Sequence, residues 1–381
     1  MRLWAVRLVP FAVVMAFCVC GLSQTQVTQT TGSPATQDPT RPEIQPRIDI
    51  DRDPILSPDP PAPAGPSSSA TANAPTNTGA NQPQALEKNQ NGMYVLHTDV
   101  DEVLLNCTVI DEKGQIVQDL NKNDFRVWED GVPQTVNSVQ RQDLPVSLGI
   151  LVDNSGSMRD NRASVNQAAY NLLRVSNPRD EAFVVNFSDH AYLDQGFTSD
   201  LVALNKGLSR FDSKGTTAMY DAVAAAANEL STHAKLRKQA LLIITDGADN
   251  ASQLDLQQTI RRVQNLGGPV VYSVGLLFDT DKAESDRAQN ALESLSRETG
   301  GVAYFPRSLN EVNAIAAEVA HELRDQYTVD YHASRPASLG GYRVVHVEAR
   351  SPKYGTLIVR TRRGYYASPA NNTPVAQETG R

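Results

Sequence analysis

Three short segments carry the residues best suited to chemistry. Asp153-Asn154-Ser155-Gly156-Ser157 ends one apolar run and Thr245-Asp246-Gly247 ends another, with the loop Gly215-Thr216-Thr217-Ala218 between them. Asp153 and Asp246 offer carboxylates. Ser155, Ser157 and Thr217 offer neutral hydroxyls, and no Cys or His belongs to the set. All-oxygen ligation with few charges suits a hard divalent cation, Mg²⁺ first, with Ca²⁺ or Mn²⁺ as alternatives. Ser155 and Ser157 are two apart, so an extended backbone points both hydroxyls the same way, and Gly156 between them permits a tight turn. Such a set under-fills an octahedron, which waters or an incoming carboxylate complete.

Other chemistries fit these residues less well. Asp and Ser are favoured helix caps, so the first segment could be only a capping turn. A serine nucleophile lacks the Gly-x-Ser-x-Gly elbow, and no motif ties His190, His233 or His321 to the serines. The Gly215 loop lacks the lysine and glycine spacing of a phosphate loop. Asp221 reads as a hydrogen-bond acceptor behind the ligands, and Asp249 and Asn250 as exposed loop residues. Asn154, Met158, Arg159 and Thr216 flank the ligands and are the expected rim, with Arg159 able to pair with an incoming acid.

The elements around these segments set their positions. Val146 to Val152 is an almost continuous apolar run, the mark of a strand buried on both faces. A helix with Val165, Ala168, Ala169, Leu172 and Leu173 on one side follows. Strands are then expected at 183–187, 192–197, 240–245, 270–274 and 302–305. Helices are expected at 201–208, 218–230, 254–266, 286–298 and 309–326. Alternation of this kind specifies a doubly wound, mostly parallel sheet with helices on both faces. Ligands bind such sheets outside the carboxyl ends of the strands, where all three segments can converge.

Both flanks have period two. Val103, Leu105, Cys107 and Val109 alternate with residues that include Asn106 and Thr108, and Asp130-Gly131 is a hairpin turn signal. Strands are also expected at 125–129, 136–139, 327–331, 342–348 and 356–360. Each flank has too few strands to bury a sheet face alone, so the two are expected to pair into one small β-sandwich with the α/β domain inserted in it. Cys107 reads as a small buried hydrophobe.

The site motifs match those of a known family. Asp153, Ser155 and Ser157 fit Asp-x-Ser-x-Ser, Thr217 in GTTAMYDA fits the loop threonine, and Asp246 in LLIITDG fits the final aspartate. On these residues the chain resembles a von Willebrand factor type A domain with a metal-ion-dependent adhesion site. The resemblance implies that Ser155, Ser157 and Thr217 contact the ion directly, the aspartates directly or through water, and a partner's carboxylate last. Met158-Arg159-Asp160-Asn161 has one acid where integrin-like relatives have two, which argues against a second cation nearby. The flanks FRVWEDGVPQTV and YTVDYHAS…GYRVVHVEARSP…VRTRRGYYAS resemble a bacterial family of exported proteins with such a domain at the centre.

Composition bounds the rest. The chain has 381 residues, 40% hydrophobic and 20% charged, with formal net charge -8. Arg2 and Arg7 precede an apolar run from Leu8 to Cys20 that is long enough for a signal peptide and too short to span a bilayer. A leader over 1–23 is therefore expected, cleaved near Gln24, and no membrane span is expected after it. Two of the three cysteines leave with that leader, so Cys107 has no intrachain partner, which favours a bacterial exported chain. Pro, Ser, Thr and Ala enrichment makes 24–91 a disordered spacer. The expected order is then sandwich first half 92–142, α/β domain 143–326, sandwich second half 327–367 and tail 368–381. An acidic chain with no basic stripe does not suit nucleic acid. The expected function is a non-enzymatic protein-binding module, located in the periplasm, on the cell surface or secreted, whose partner presents an acidic residue. The alternative is a structural component of a cell-envelope assembly in which the metal only stabilises the fold.

Overall fold

The structure is a computed structural model that describes residues 46–49, 87–88, 94–95, 102–141, 143–210 and 212–367. These residues lie in one of two units of the chain, Ile44–Arg381. The expected leader, most of the spacer and the tail lie outside the described residues.

The first elements are short. β1 (Ile48–Asp49) lies within the stretch expected as spacer, and β2 (Glu87–Lys88) pairs antiparallel with β3 (Tyr94–Val95). β4 (Glu102–Ile110) buries Val103, Leu105, Cys107 and Val109. β5 (Phe125–Glu129) and β6 (Val132–Arg141) form the expected hairpin. Its turn residues, Asp130 and Gly131, have φ 50° and 78°, the left-handed geometry that matches strand twist in a two-residue turn.

The α/β part follows. β7 (Val146–Asp153) is buried along its whole length and leads to α1 (Arg162–Val175). β8 (Glu181–Phe187) and β9 (Ala191–Thr198) run antiparallel, then come α2 (Leu201–Leu208), α3 (Met219–His233) and β10 (Lys238–Thr245). The part ends with α4 (Leu256–Asn265), β11 (Val270–Gly275), α5 (Lys282–Thr299), β12 (Ala303–Tyr304) and α6 (Leu309–Asp325). The sheet order is β1-β9-β8-β7-β10-β11-β12. Leu148, Ile150 and Val152 share a core with α1, α2 and α6. Leu151, Leu241 and Ile243 share another with α3, α4 and α5. Helices therefore cover both faces, as the alternating pattern requires. β1 pairs parallel to the edge strand β9, with Ile48 packed against the second core. The expected helix at 286–298 starts earlier, because Asp281 caps it by accepting from Ala283 N and Glu284 N. Gly300 ends it at φ 90°.

The chain then returns to the first module as β13 (Tyr327–His332), β14 (Tyr342–Ala349), β15 (Ile358–Arg360) and β16 (Gly364–Tyr366). The order β15-β4-β13-β6-β5-β14-β16 interleaves both flanks in one antiparallel sheet. β6 pairs with β5 through Val132–Gln134 and with β13 through Thr135–Arg141, so it bends from one half of the sheet to the other. Leu105, Val127, Val329 and Val347 from both halves share one core. The expected sandwich is thus one curled sheet. A buried polar cluster joins it to the α/β part. Glu322 on α6 accepts from Thr108 Oγ1 (2.9 Å) and Tyr272 Oη (3.3 Å) and pairs with Arg360 (2.9 Å). No helix among the described residues is long and apolar enough to cross a membrane.

Cys107 is fully buried, and burial pushes its thiol up to about 12. A thiol reacts as its thiolate, so Cys107 is expected to resist iodoacetamide at pH 8 in the native protein and to label fully in denaturant. Mass mapping reads this. Native labelling of Cys107 within minutes would show that β4 opens freely.

Candidate metal centre

Asp153 closes β7 and Thr245-Asp246 closes β10, and these neighbouring parallel strands bring both acids to one end of the sheet. Asp153 is fully buried. Its Oδ1 accepts from Ser155 N (2.7 Å) and its Oδ2 from Thr245 Oγ1 (2.6 Å). Ser155 Oγ lies 3.1 Å from Ser157 Oγ, and Ser157 Oγ donates to Asp246 Oδ1 at 2.8 Å. Four of the five expected site residues therefore form one hydrogen-bonded chain. The serine hydroxyls meet by a route other than the expected extended backbone. Ser155 is extended, but Gly156–Asp160 turns into a 3-10 helix. The tight turn that Gly156 permits, rather than strand alternation, brings them together.

Thr217 reaches the same place through its backbone. Gly156 N donates to Gly215 O (3.3 Å), which ties the loop to the serine segment. Thr217 and Asn250 exchange two hydrogen bonds, Thr217 N to Asn250 Oδ1 (2.9 Å) and Asn250 N to Thr217 O (3.0 Å), which tie it to the Asp246 segment. Thr217 is buried, and its hydroxyl makes no hydrogen bond among the described residues. Gly215 has φ 83°, and a Cβ there would lie 2.6 Å from Asp189 Oδ2, so only glycine fits. Asp189 in turn accepts from Thr216 N (2.7 Å) and from the Thr216 hydroxyl.

Burial is the main electrostatic fact. It pushes Asp153 up to about 6, against the hydrogen bonds from Thr245 and Ser155, and the charge of Asp246 adds to the rise. Burial also raises Asp246, against its hydrogen bond from Ser157 and with help from the charge of Glu284. Asp153 is thus disfavoured as an anion by burial and by Asp246, and Asp246 by burial and by Glu284, so a positive charge placed between them would favour both carboxylates.

Residues 148–248 match the family model described as the von Willebrand factor type A domain. Over those residues the chain carries a von Willebrand factor type A (VWA) domain. No curated protein matches the chain. It is similar in structure to a von Willebrand factor type A protein from Catenulispora acidiphila, at 11% identity over 71% of this chain and 74% of that one, TM-score 0.42. It is also similar to the vWF domain of a type V pili tip protein from Porphyromonas gingivalis, at 11% identity over 47% and 95%, TM-score 0.39. A third likeness is to proximal thread matrix protein 1 from the mussel byssus, with zinc in its MIDAS motif, at 15% identity over 52% and 50%, TM-score 0.41.

The donor set of this VWA domain fits a hard divalent cation. Among the described residues no three Asp, Glu, His or Cys side chains are grouped to hold an ion alone. The ion would therefore depend on Ser155, Ser157 and Thr217 as much as on the acids, an all-oxygen set that suits Mg²⁺, Ca²⁺ or Mn²⁺.

The surroundings differ from the sequence expectations in several places. Asn154 and Met158, expected at the rim, are buried. Asn154 holds the 212–214 loop through Asp212 and Ser213, and Met158 packs into the core of α1. Arg159 and Thr216 are exposed. Asp221 accepts from Gln253 N and Leu254 N and so braces the loop after Asp246. Asn250 is exposed as expected but fixes Thr217, and Asp249 accepts from Tyr220 N at the start of α3.

Sequence reasoning missed Arg162. It is fully buried and donates to Asp153 O (2.8 Å), to Leu208 O (3.3 Å) and to the Asn186 side chain. Asn186 passes the link to the buried Asp194 at 2.6 Å. An arginine at a helix start carries no signal of such a role, because its acceptors lie on β7, β8 and the end of α2.

Proposed function

We propose that the VWA domain is the working part of an exported protein-binding module that captures an acidic side chain of a protein partner through a divalent cation. Asp153, Ser155, Ser157, Thr217 and Asp246 would hold the ion, Mg²⁺ first, with Ca²⁺ or Mn²⁺ as alternatives. One observation carries the reading: two buried acids and three hydroxyl residues from three segments are stitched together at one end of a buried sheet. When bound, the ion supplies Lewis acidity and positive charge that favour an anionic oxygen over another water. The chain's residues do the rest. Arg162 and Thr245 fix Asp153, Asn250 fixes Thr217, and Arg159 and Thr216 stand exposed beside the ligands, where a partner would meet them. Binding, not turnover, is the proposed activity.

The test is affinity capture from the native envelope, with and without a chelator. A partner is expected to be retained in Mg²⁺ and released by the chelator. Thr217→Ala should lose it, as should changing one partner carboxylate to an amide. Retention that survives chelation and Thr217→Ala would place recognition elsewhere. If the chelator lowers the melting temperature but every interaction persists, the ion is structural and the module belongs to an envelope assembly.

A further inference from the structure

The start of α5 is held over the end of β10. Leu276 N donates to Thr245 O (2.8 Å), and Thr280 Oγ1 donates to Asp246 O (3.1 Å). Asp281 then caps the helix by accepting from Ala283 N and Glu284 N. These contacts place Glu284, in the first helical turn, against the backbone beside Asp246. A Cβ built on Gly247 would stand 3.4 Å from Glu284 Oε1. Glu284 is half-buried, and its carboxylate accepts no hydrogen bond and forms no ion pair among the described residues. A glutamate in a first helical turn also gains from the helix dipole. That explains a carboxylate on this turn but not its placement over Gly247 beside a second acid, with no donor to satisfy it.

We propose that Glu284 is part of the metal centre and acts on it through the ion's water shell. This rests on the reading that Asp153, Ser155, Ser157, Thr217 and Asp246 hold a divalent ion. Direct ligation is not the geometry found, since no three acids are grouped closely enough to hold an ion together. A hard cation such as Mg²⁺ keeps several waters when protein ligands are few. Each such water is a strong donor, and a half-buried carboxylate without a donor is a matching acceptor. Glu284 therefore retains the ion by fixing one of its waters. It also sets the charge a partner meets: three local carboxylates against a divalent cation leave the filled site with a formal charge of about -1. The incoming acid must approach against that residual charge, so Glu284 strengthens ion retention and restrains capture of an anion.

The experiment is Mg²⁺ titration calorimetry on the full chain, comparing wild type with Glu284→Gln, Asp153→Ala and Glu293→Gln. Glu293 lies nine residues further along the same helix, about 13 Å away, so its variant removes the same charge without the contact. Outer-shell groups typically contribute ten- to a hundredfold to metal affinity. Glu284→Gln is expected to weaken Mg²⁺ about tenfold, Glu293→Gln less than twofold, and Asp153→Ala to abolish binding. Melting curves in chelator should coincide for wild type and Glu284→Gln, which separates ion retention from helix stability. Unchanged affinity in Glu284→Gln, with binding lost in Asp153→Ala, would overturn the role of Glu284 alone. Equal losses in Glu284→Gln and Glu293→Gln would also overturn it, by showing a general charge effect. Undiminished binding in Asp153→Ala, or none in wild type, would overturn the underlying metal reading.

Discussion

Mg²⁺ at a hundredfold excess over its Kd is expected to raise unfolding free energy by about 2.7 kcal/mol, and Asp153→Ala is expected to lose all of that gain. The ion is expected to bind the folded chain only, because the unfolded chain does not bring β7, β10 and the Gly215 loop together. Asp153→Ala should still fold. It loses two hydrogen bonds, from Ser155 N and Thr245 Oγ1, worth about 1 kcal/mol each. It also removes a carboxylate whose charge burial disfavours, which offsets part of that loss. The pH dependence has a definite sign. The carboxyl sits at about 6 when folded and about 3.9 when unfolded, so the folded state binds more protons between those values. Without Mg²⁺, its contribution to stability therefore rises as pH falls through 6 towards 4. Protons compete with the ion over the same window, so the Mg²⁺ gain should shrink there. Urea unfolding at pH 5 and 7, with and without Mg²⁺, measures both effects. A full Mg²⁺ gain in Asp153→Ala would remove Asp153 from the site.

Arg343→Met is expected to destabilise the curled sheet by about 3–5 kcal/mol, the usual result of breaking a buried ion pair from one side. Arg343 and Glu129 are fully buried, with Arg343 Nη1 3.0 Å from Glu129 Oε1. The arginine also donates to Arg335 O and Pro336 O, both at 2.6 Å. Tyr331 Oη (2.7 Å) and Tyr365 Oη (2.8 Å) donate to Glu129 Oε2. Removing the guanidinium leaves a buried carboxylate with two hydroxyl donors and no countercharge. Arg343→Met with Glu129→Leu should recover most of the loss, because replacing both partners with apolar groups removes both desolvation penalties. The Lys282–Asp286 pair at 2.9 Å is the contrast: both side chains are largely exposed, and Lys282→Ala should change stability by less than about 0.5 kcal/mol. Urea midpoints for the four proteins decide the matter. A small effect of Arg343→Met would mean that water reaches Glu129.

Much of the architecture was legible because periodicity is local. Val146 to Val152 reads as a strand covered on both faces, and β7 is buried throughout. In the strand expected at 125–129, period two puts Phe125, Val127 and Glu129 on one side, and all three are buried. The same alternation could not say that Glu129 is inward because it is paired. Arg343 is 214 residues away, and only the return of β14 beside β5 brings them together.

By itself the sequence determined the two periods of the chain, the insertion of a doubly wound α/β part between two β flanks, and the five oxygen-bearing residues at strand ends and in one loop. Each follows from spacing within a dozen residues, or from a motif whose residues are its own signal. Only the tertiary structure decided how those residues are held. It placed Arg162 under Asp153, tied Thr217 to Asn250, turned Asn154 and Met158 inward, and set Glu284 against Gly247. Those placements depend on contacts between residues 9 to 59 apart in the chain, joined by sheet order and helix packing. A hydrogen-bond partner supplied by another element leaves no mark on the spacing of its own.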